Sequence, residues 1–260
     1  MAGYDIIGNI AIVKFDRNIR FRDKKKFALN FLKENKNVKT VLEKISKFGG
    51  RLRIQKTKYI AGERTKEVLY KENKCIFRFN VDSCYFSPRL ASERKEIAKM
   101  VKKNEKVLVL FGGVAPYAIV ITKLSGAERV DSVEIGRECN KYAMENIKRN
   151  KLEGRVVIVQ GDVRRVVGKR KKIYGRFNRI VMARPNLKNS FLDVVFPVVK
   201  KGGIVHYYGF YKEKEVREFK DLLKIEAEKA GKKIMILKIK KAGEIGARKY
   251  RYRADFRVLN

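Results

Sequence analysis

The chain has 260 residues and a mass of 30.2 kDa, enough for one large domain or two modest ones with a hydrophobic core. Hydrophobic residues make up 45% and charged residues 35%, which excludes a disordered chain. The 64 Lys and Arg against 28 Asp and Glu give a net charge of +36, which favours a polyanionic partner. No apolar run approaches about 18 residues and no signal-peptide pattern follows Met1, so we expect neither a transmembrane nor a secreted protein.

Cysteine and histidine are scarce, and their spacing fits no metal or disulfide motif. The three cysteines, Cys75, Cys84 and Cys139, are odd in number and lack CxxC spacing. We therefore expect buried small apolar side chains in a reducing cytoplasm, without a disulfide framework or a structural zinc site. The single histidine, His206, lies inside an apolar strand pattern and is predicted to belong to the core. We expect no metal requirement.

The first third of the chain predicts a small α+β domain that ends at residue 84. Residues 4–15 are rich in Ile and Val and predict a strand pair or one long strand. Apolar residues at helical spacing predict helices over Asp23–Glu34 and Val38–Phe48, the second ending at Gly49-Gly50. Three short strands follow, with a hairpin turn at 72–74 between the last two: Arg51–Lys56, Glu67–Lys71 and Cys75–Asn80.

From residue 85 to residue 260 the pattern changes to alternating helices and strands. A helix from about Ser92, its predicted N-cap, to Lys102 comes first. The predicted strands are 106–111, 129–135, 155–160, 178–183, 204–210, 233–240 and 250–258, and the predicted helices between them are 115–124, 137–149, 188–199 and 213–230. No helix separates the last two strands, so they are expected to pair antiparallel. This α/β pattern, a Rossmann-like sheet of seven strands with an antiparallel edge pair, is typical of class I methyltransferases.

Three predicted strand ends carry candidate ligands for a nucleotide-like cofactor. The FGGVAPY junction at 111–117 joins a strand to a helix, where glycines let a ligand approach free backbone N–H groups. Glu134, about 20 residues on, stands where a carboxylate accepts from ribose hydroxyls. Asp162 follows the third strand, where a carboxylate often accepts from the adenine amino group. The alternative interpretations are a tight turn at 111–117, a solvated charge at Glu134 and a helix N-cap at Asp162. The predicted cofactor residues are Phe111, Gly112, Gly113, Val114, Glu134, Asp162 and Val163.

Nine segments in this order resemble the archaeal tRNA (guanine-37 N1)-methyltransferase family, which includes wybutosine-pathway enzymes. SPRLASER and the first strand are the most specific of them, and FGGVAPY is generic. The segments are YDIIGNIAIVKF (4–15), GGRLRIQKTKYIAGERT (49–65), YKENKC (70–75), YFSPRLASERKEIA (85–98), FGGVAPY (111–117), GDVR (161–164), VMARPN (181–186), GGIVHYY (202–208) and YRADFRV (252–258).

The resemblance implies S-adenosylmethionine as cofactor and tRNA as substrate, with methyl transfer to N1 of guanine 37 in the anticodon loop. Glu93 matches the glutamate that takes the proton from guanine N1, which is protonated at neutral pH. Arg53 matches the arginine that stabilises charge on guanine O6, although Arg51 is close enough to be the match. Without the resemblance, Glu93 is a first-turn carboxylate favoured by the helix dipole, and Arg53 is one of many solvated cations.

Three positions depart from the family pattern. Val109 replaces an acidic residue, Ala115 replaces the last glycine of the cofactor motif, and Ala183 replaces an asparagine that positions the target base. Because an alanine side chain cannot hydrogen-bond, either Arg184 or Asn186 takes over recognition, or the target differs. We predict Glu93, Arg53 and Arg184 as catalytic residues; the predicted substrate residues are Arg89, Arg94, Pro185, Asn186 and Tyr207.

By the resemblance, the sequence is expected to start at the family's second domain, so phosphate contacts are expected to do more of the tRNA recognition. The small domain is expected to contribute; the candidate cations are Arg17, Arg20, Arg22, Lys24–Lys26, Arg164, Arg165, Lys169–Lys172, Lys240, Lys241 and Arg248–Arg253. A solvated basic face is the alternative. We expect a cytoplasmic monomer. The alternative functions are a wybutosine-pathway enzyme that transfers a methyl or aminocarboxypropyl group, a noncatalytic RNA-binding protein on the same scaffold, and a DNA or membrane-surface binder.

Overall fold

The computed structural model describes residues 3–168, 171–173, 175–246 and 248–260, so Lys169 and Arg170 of the expected basic segment lie outside the described residues. The N-terminal part contains β1 (Gly3–Ile7), β2 (Ile10–Lys14), α1 (Phe21–Glu34), β3 (Thr40–Lys44) and β4 (Thr57–Gly62). The strands form one sheet in the order β1-β2-β3-β4, and α1 packs against it. The expected strand pair is β1 with β2, and the first expected helix is confirmed.

Two predictions in this part are wrong. The expected helix Val38–Phe48 contains the strand β3, which is parallel to β2 and antiparallel to β4. Consecutive buried residues from Thr40 to Leu42 suit a strand covered on both faces, and sheet pairing outweighs the helical spacing. The expected strand Arg51–Lys56 is instead a turn closed by an isolated bridge between Gly49 and Ile54.

The rest of the chain builds the hairpin β5 (Glu67–Glu72) and β6 (Cys75–Asn80), as predicted, followed by a seven-stranded sheet. The elements are α2 (Ala91–Met100), β7 (Lys106–Leu110), α3 (Pro116–Leu124), β8 (Arg129–Glu134), α4 (Arg137–Arg149), β9 (Val156–Gln160), α5 (Val163–Val166), β10 (Phe177–Met182), α6 (Leu192–Val195), β11 (Val199–Lys212), α7 (Val216–Lys229), β12 (Ile234–Gly246) and β13 (Lys249–Val258). The sheet order is β12-β13-β11-β10-β7-β8-β9, and β13 is antiparallel to both neighbours. The expected architecture and antiparallel last pair are confirmed.

Three local predictions need correction. Helix α2 has Leu90 rather than Ser92 as its N-cap, because a 3-10 turn at Pro88–Leu90 runs directly into it. The expected helix 188–199 shrinks to the single turn α6, preceded by Phe191 in the left-handed region at φ 59°. Strand β11 (Val199–Lys212) extends past both ends of the expected strand 204–210. It continues beyond Tyr207, which is the partner of the last residue of β10.

Cys84 and Cys139 form a disulfide, with Cα atoms 5.5 Å apart, which corrects the expectation of unpaired cysteines. The physical reason is tertiary: α4, which carries Cys139, packs on β6, and Cys84 follows β6 closely. A separation of 55 residues in sequence gives no sign of this contact. Cys75 is a buried free thiol, as expected.

The hydrophobic core continues across residue 84. One cluster joins Ile10 and Leu42 of the N-terminal sheet to Phe77 of the hairpin and to Ile97 and Val107 of the C-terminal part. The domain boundary at residue 84 stays a prediction. No helix among the described residues is long and apolar enough to cross a membrane.

Candidate active site

A cavity of about 440 Å³ opens at the carboxyl ends of β7, β8, β9 and β10. Parallel strands place the residues that follow them at one edge of the sheet, where ligands of open α/β folds bind. Six of the seven predicted cofactor residues line this cavity: Phe111, Gly112, Gly113, Glu134, Asp162 and Val163. The seventh, Val114, is fully buried in the core, so its expected cofactor contact is corrected to packing.

The turn after β7 and the end of β8 fit a nucleoside. A Cβ at Gly112 would lie 2.2 Å from Ser132 Oγ, so a larger residue would have to displace the buried Ser132 side chain of β8. The Gly113 N–H donates to Glu134 Oε2 over 2.9 Å, and the Gly136 N–H donates to Oε1 over 2.7 Å. These bonds fix the partly exposed Glu134 carboxylate toward the cavity, where its remaining lone pairs fit ribose hydroxyls.

Asp162 does two things at the end of β9. Its Oδ1 accepts from the Arg164 N–H over 2.8 Å as the N-cap of α5, and its Oδ2 is paired with Arg51. The expected alternative of an N-cap is therefore confirmed, and Asp162 also lines the cavity. Arg51 is held on the cofactor side by this pair. Arg53 lines the cavity and has no ion-pair partner among the described residues.

The loop after β10 forms the opposite wall, with Ala183, Arg184, Pro185 and Asn186 in the lining. The buried Arg184 guanidinium donates to the carbonyl oxygens of Leu187, Asn189 and, at 3.4 Å, Tyr208. It therefore holds the loop together. The exposed Asn186 side chain makes no hydrogen bond among the described residues.

Two predicted substrate residues have structural partners. Arg94 lines the cavity, but its buried guanidinium forms a bidentate ion pair with Glu72. Arg89 is largely exposed, lies outside the cavity lining and pairs with Asp5 over 2.7 Å. The buried pair favours a structural role for Arg94, whereas the exposed Arg89–Asp5 pair is weak and Arg89 stays a predicted substrate residue.

Glu93 does not line the cavity, but it is hydrogen-bonded to Tyr208, which does. Tyr208 is a lining residue, and its hydroxyl donates to Glu93 Oε1 over 2.9 Å and accepts from the Tyr117 hydroxyl over 3.1 Å. Glu93 is 6% exposed and is charge-balanced by the fully buried Arg253 and by Lys240, whose Nζ is 3.4 Å from Oε2. Burial raises the pKa of Tyr208 well above its ordinary value, so the hydroxyl stays protonated at neutral pH.

Tyr208 lines the cavity, whereas the predicted substrate residue Tyr207 does not. Successive strand residues point to opposite faces, and Tyr207 packs against Phe219 of α7 with ring centroids 5.9 Å apart. Tyr208 points to the cavity face instead, so the expected role of Tyr207 is corrected. Because strand side chains alternate, only one of two neighbouring tyrosines can face the site, and the local sequence does not indicate which one. Sequence reasoning also missed several other lining residues, among them Tyr85, Phe210, Ile245 and, as an individual residue, Arg251.

His206 belongs to the core, as predicted. Its Nδ1 is 2.6 Å from Asp255 Oδ1 and its Nε2 is 2.8 Å from Arg179 Nη1. Burial lowers the pKa of His206 and outweighs the opposing effect of Asp255. No group of three or more His, Cys, Asp and Glu side chains within the described ranges could hold a metal ion.

A seven-stranded sheet of this order, with a glycine turn after β7 and a carboxylate after β8, defines a class I S-adenosylmethionine-dependent methyltransferase. Residues 68–236 match the TRM5/TYW2 methyltransferase domain, and residues 1–65 match the TYW2 N-terminal domain. The chain belongs to the TRM5/TYW2 methyltransferase family.

Named relatives agree with this assignment. The chain is 35% identical to tRNA (guanine(37)-N(1))-methyltransferase Trm5b of Pyrococcus abyssi, over 98% of the chain and 74% of the relative. The crystal structure of Trm5b from Pyrococcus abyssi superposes with a TM-score of 0.87 at 34% identity, covering 99% of this chain and 75% of that one. The chain is also 32% identical to tRNA (guanine(37)-N(1))/4-demethylwyosine(37)-methyltransferase Taw22 of Nanoarchaeum equitans, over 98% of the chain and 99% of the relative. A complex of aTrm5 with tRNALeu superposes with a TM-score of 0.85 at 27% identity, covering 99% and 72%.

Proposed function

We propose that this enzyme transfers a methyl group from S-adenosylmethionine to N1 of guanine 37 in the anticodon loop of tRNA. The observation that carries the proposal is that one and the same cavity joins the cofactor half to Arg53 and Tyr208. The Pyrococcus abyssi relative is named for this reaction. The net charge of +36 supports an RNA substrate, because phosphates attract the excess Lys and Arg.

The chain's own residues fit the cofactor and orient it. When bound, S-adenosylmethionine supplies an activated methyl group on its sulfonium sulfur. We assign the ribose hydroxyls to Glu134, the adenine amino group to Asp162, and the close backbone approach to Gly112 and Gly113. A guanine flipped from the loop would enter the other half of the cavity. Catalysis then consists mainly of orientation and the removal of one proton.

The proton on guanine N1 needs a base, and Glu93 is our candidate. Glu93 does not line the cavity, so we propose that Tyr208 transmits the proton. The Tyr208 oxygen accepts the N1 proton while its own proton passes to Glu93 Oε1, which leaves the hydroxyl unchanged. The Tyr117 hydroxyl supports this by donating to the Tyr208 oxygen.

Arg53 is our candidate for stabilising the negative charge that develops on guanine O6. Its guanidinium has no competing ion pair among the described residues, whereas Arg51 is paired with Asp162. We propose Asn186 as the residue that reads the base edge in place of the amide missing at Ala183. Arg184 acts indirectly by holding the loop in position.

A second candidate is methylation of 4-demethylwyosine, a guanine derivative, at the same position. Residues 1–65 match the TYW2 N-terminal domain, and the name of the Nanoarchaeum equitans relative includes both substrates. The small side chain of Ala183 supports this candidate, because it leaves room beside the base.

We further propose that the enzyme works as a cytoplasmic monomer without a metal. The scheme above consists of orientation and the removal of one proton by residues of one chain, so it requires neither a metal nor a second copy. Light scattering at micromolar concentration is expected to give a mass near 30.2 kDa, and EDTA is expected to leave the rate unchanged. A dimer, or inhibition reversed by a divalent cation, contradicts these two proposals.

The test uses labelled S-adenosylmethionine and three tRNAs, which carry guanine, adenine or 4-demethylwyosine at position 37. Nucleoside digestion and mass spectrometry identify the product. We expect N1-methylguanosine from the first tRNA and no product from the second. Product from the third tRNA alone supports the second candidate, and no product from any of them contradicts both.

The proton path is tested with Glu93→Gln and Tyr208→Phe in single-turnover experiments. Loss of general-base catalysis lowers a rate by roughly 100- to 10,000-fold, so we expect that range for Glu93→Gln. Tyr208→Phe is expected to fall into the same range if the hydroxyl carries the proton. Tyr117→Phe, which keeps the Tyr208–Glu93 bond, is the matched control and should lose much less. Near-normal rates of Glu93→Gln across the pH range contradict the assignment.

A further inference from the structure

The ends of β11, β12 and β13 extend past the carboxyl edge of the parallel sheet. Strand β10 ends at Met182 opposite Tyr207, whereas β11 continues to Lys212 and stays paired with β13 along that length. Strand β12 continues to Gly246, with shifts in register after Lys241. This three-stranded extension reaches the cavity through three residues that the methyl-transfer scheme does not use: Phe210, Ile245 and Arg251.

Strand register puts Phe210 and Arg251 side by side on the cavity face. The two residues are cross-strand partners, and the Arg251 guanidinium lies 5.3 Å from the Phe210 ring centroid. The opposite face of β11 packs closely against α7, since a Cβ at Gly209 would lie 2.8 Å from Phe219. Phe210 and Arg251 are both partly exposed, so an aromatic ring and a cation are presented together at the mouth of the site.

Arg251 has no counter-ion among the residues that the structure describes. The next residue on this face, Arg253, is fully buried and paired with Glu93, Glu96 and Asp255. Arg251 forms no ion pair among the described residues and makes no side-chain hydrogen bond there. Ile245 adds an exposed apolar side chain, at 44% exposure, to the same mouth. An anionic, flat ligand satisfies all three side chains.

We infer that Phe210, Arg251 and Ile245 form a subsite for a second, unpaired nucleotide, the neighbour of the target base. Its base stacks on the Phe210 ring and against Ile245, and its phosphate pairs with Arg251. Aromatic rings and arginine planes are the usual supports for splayed single-stranded bases. The inference rests on the proposed function, because it places the target nucleotide in the adjoining half of the cavity.

The test measures binding of a fluorescent anticodon stem-loop by anisotropy, in the presence of S-adenosylhomocysteine. Loss of base–aromatic stacking typically costs about 10-fold or more in affinity, so we expect that increase in Kd for Phe210→Ala. Phe210→Tyr keeps the ring and should bind normally. The same measurement with an abasic nucleotide on either side of position 37 completes a cycle. On one of the two abasic RNAs, Phe210→Ala should add no further loss.

The charge is tested by the salt dependence of Kd. Arg251→Gln should reduce the slope of log Kd against log salt by about 0.7, the value for one phosphate of a single strand. Arg257→Gln, at the far end of the same strand and exposed, is the matched control and should leave the slope unchanged.

Three results overturn the inference. One is an equal loss for Phe210→Ala on intact and on both abasic RNAs, which indicates a structural role. Another is a weaker affinity for S-adenosylmethionine itself in calorimetry, which assigns the ring to the cofactor. The third is an equal salt slope for Arg251→Gln and Arg257→Gln. Because these readouts need no turnover, wild-type binding without methylated guanine contradicts only the proposed function.

Discussion

Arg253 forms ion pairs with three carboxylates behind the cavity, and Arg253→Met tests how much these pairs stabilise the fold. Its side chain is fully buried and pairs with Glu93, with Glu96 Oε1 at 2.7 Å and with Asp255 Oδ1 at 2.8 Å. Removing one partner from a buried ion pair typically costs about 3–5 kcal/mol, because the remaining charge is left uncompensated. Lys240 still balances Glu93 and His206 still bonds Asp255, so we expect the lower end, about 3 kcal/mol.

Urea unfolding at several pH values measures this cost. We expect the difference between wild type and Arg253→Met to be largest at neutral pH and to shrink as the pH falls. In wild type, burial alone would raise the pKa of Asp255, but His206 and Arg253 hold it below its usual range. Without Arg253 the pKa of Asp255 rises, so a proton can neutralise the stranded carboxyl as the pH falls.

Two further variants make the result decisive. Arg257→Met removes an exposed cation from the same strand and should change the free energy of unfolding by less than about 0.5 kcal/mol. Glu93→Gln combined with Arg253→Met should recover part of the loss, since the buried carboxylate that has lost one of its two cations is then neutral. A pH-independent cost, or equal costs for Arg253→Met and Arg257→Met, refutes the reasoning.

Three other outcomes follow from the geometry. Glu134→Gln should raise the Kd for S-adenosylmethionine about 10- to 150-fold in calorimetry, because a charged hydrogen-bond acceptor of the ribose contributes about 1.5–3 kcal/mol; an unchanged Kd contradicts the ribose assignment. Dithiothreitol should lower the free energy of unfolding by about 2–4 kcal/mol through the Cys84–Cys139 bond, while Cys84→Ala should be insensitive to the reductant. Burial lowers the pKa of His206 below 6.5, so the unfolded chain takes up that proton first; the free energy of unfolding should fall as the pH drops below about 6.5, and His206→Asn should reduce that slope.

The sequence predicted the C-terminal fold well because its signals are local. Glycine turns, strand-length apolar runs and helical spacing recur from residue 106 onward, and the helix Arg137–Arg149 was predicted with its observed bounds. The N-terminal part was predicted less well, because β3 is a short buried segment. Such a segment carries the same apolar residues in a strand as in a helix, and only its pairing with β2 and β4 decides between them.

The candidate site divides in the same way. The cofactor residues follow directly from strand ends, and six of the seven reach the cavity. The substrate side depends on strand register and on long-range pairing, neither of which is written in local sequence. Arg94 was expected to hold substrate but pairs with Glu72, 22 residues away, and Tyr208 faces the cavity where Tyr207 was expected. The disulfide partner of Cys139 is likewise fixed only by packing.

The row of side chains on the cavity face of β11 and β13 links these findings. Phe210 and Arg251 stand at the mouth, Tyr208 and Arg253 stand one pair deeper, and His206 and Asp255 complete the row in the core. Exposure falls along it, so the cation at the mouth is free for an RNA phosphate while the deeper one is used to hold a carboxylate. Two arginines two residues apart on one strand therefore have opposite tasks. A loss of stability without a loss of salt sensitivity is expected from Arg253, and the reverse from Arg251.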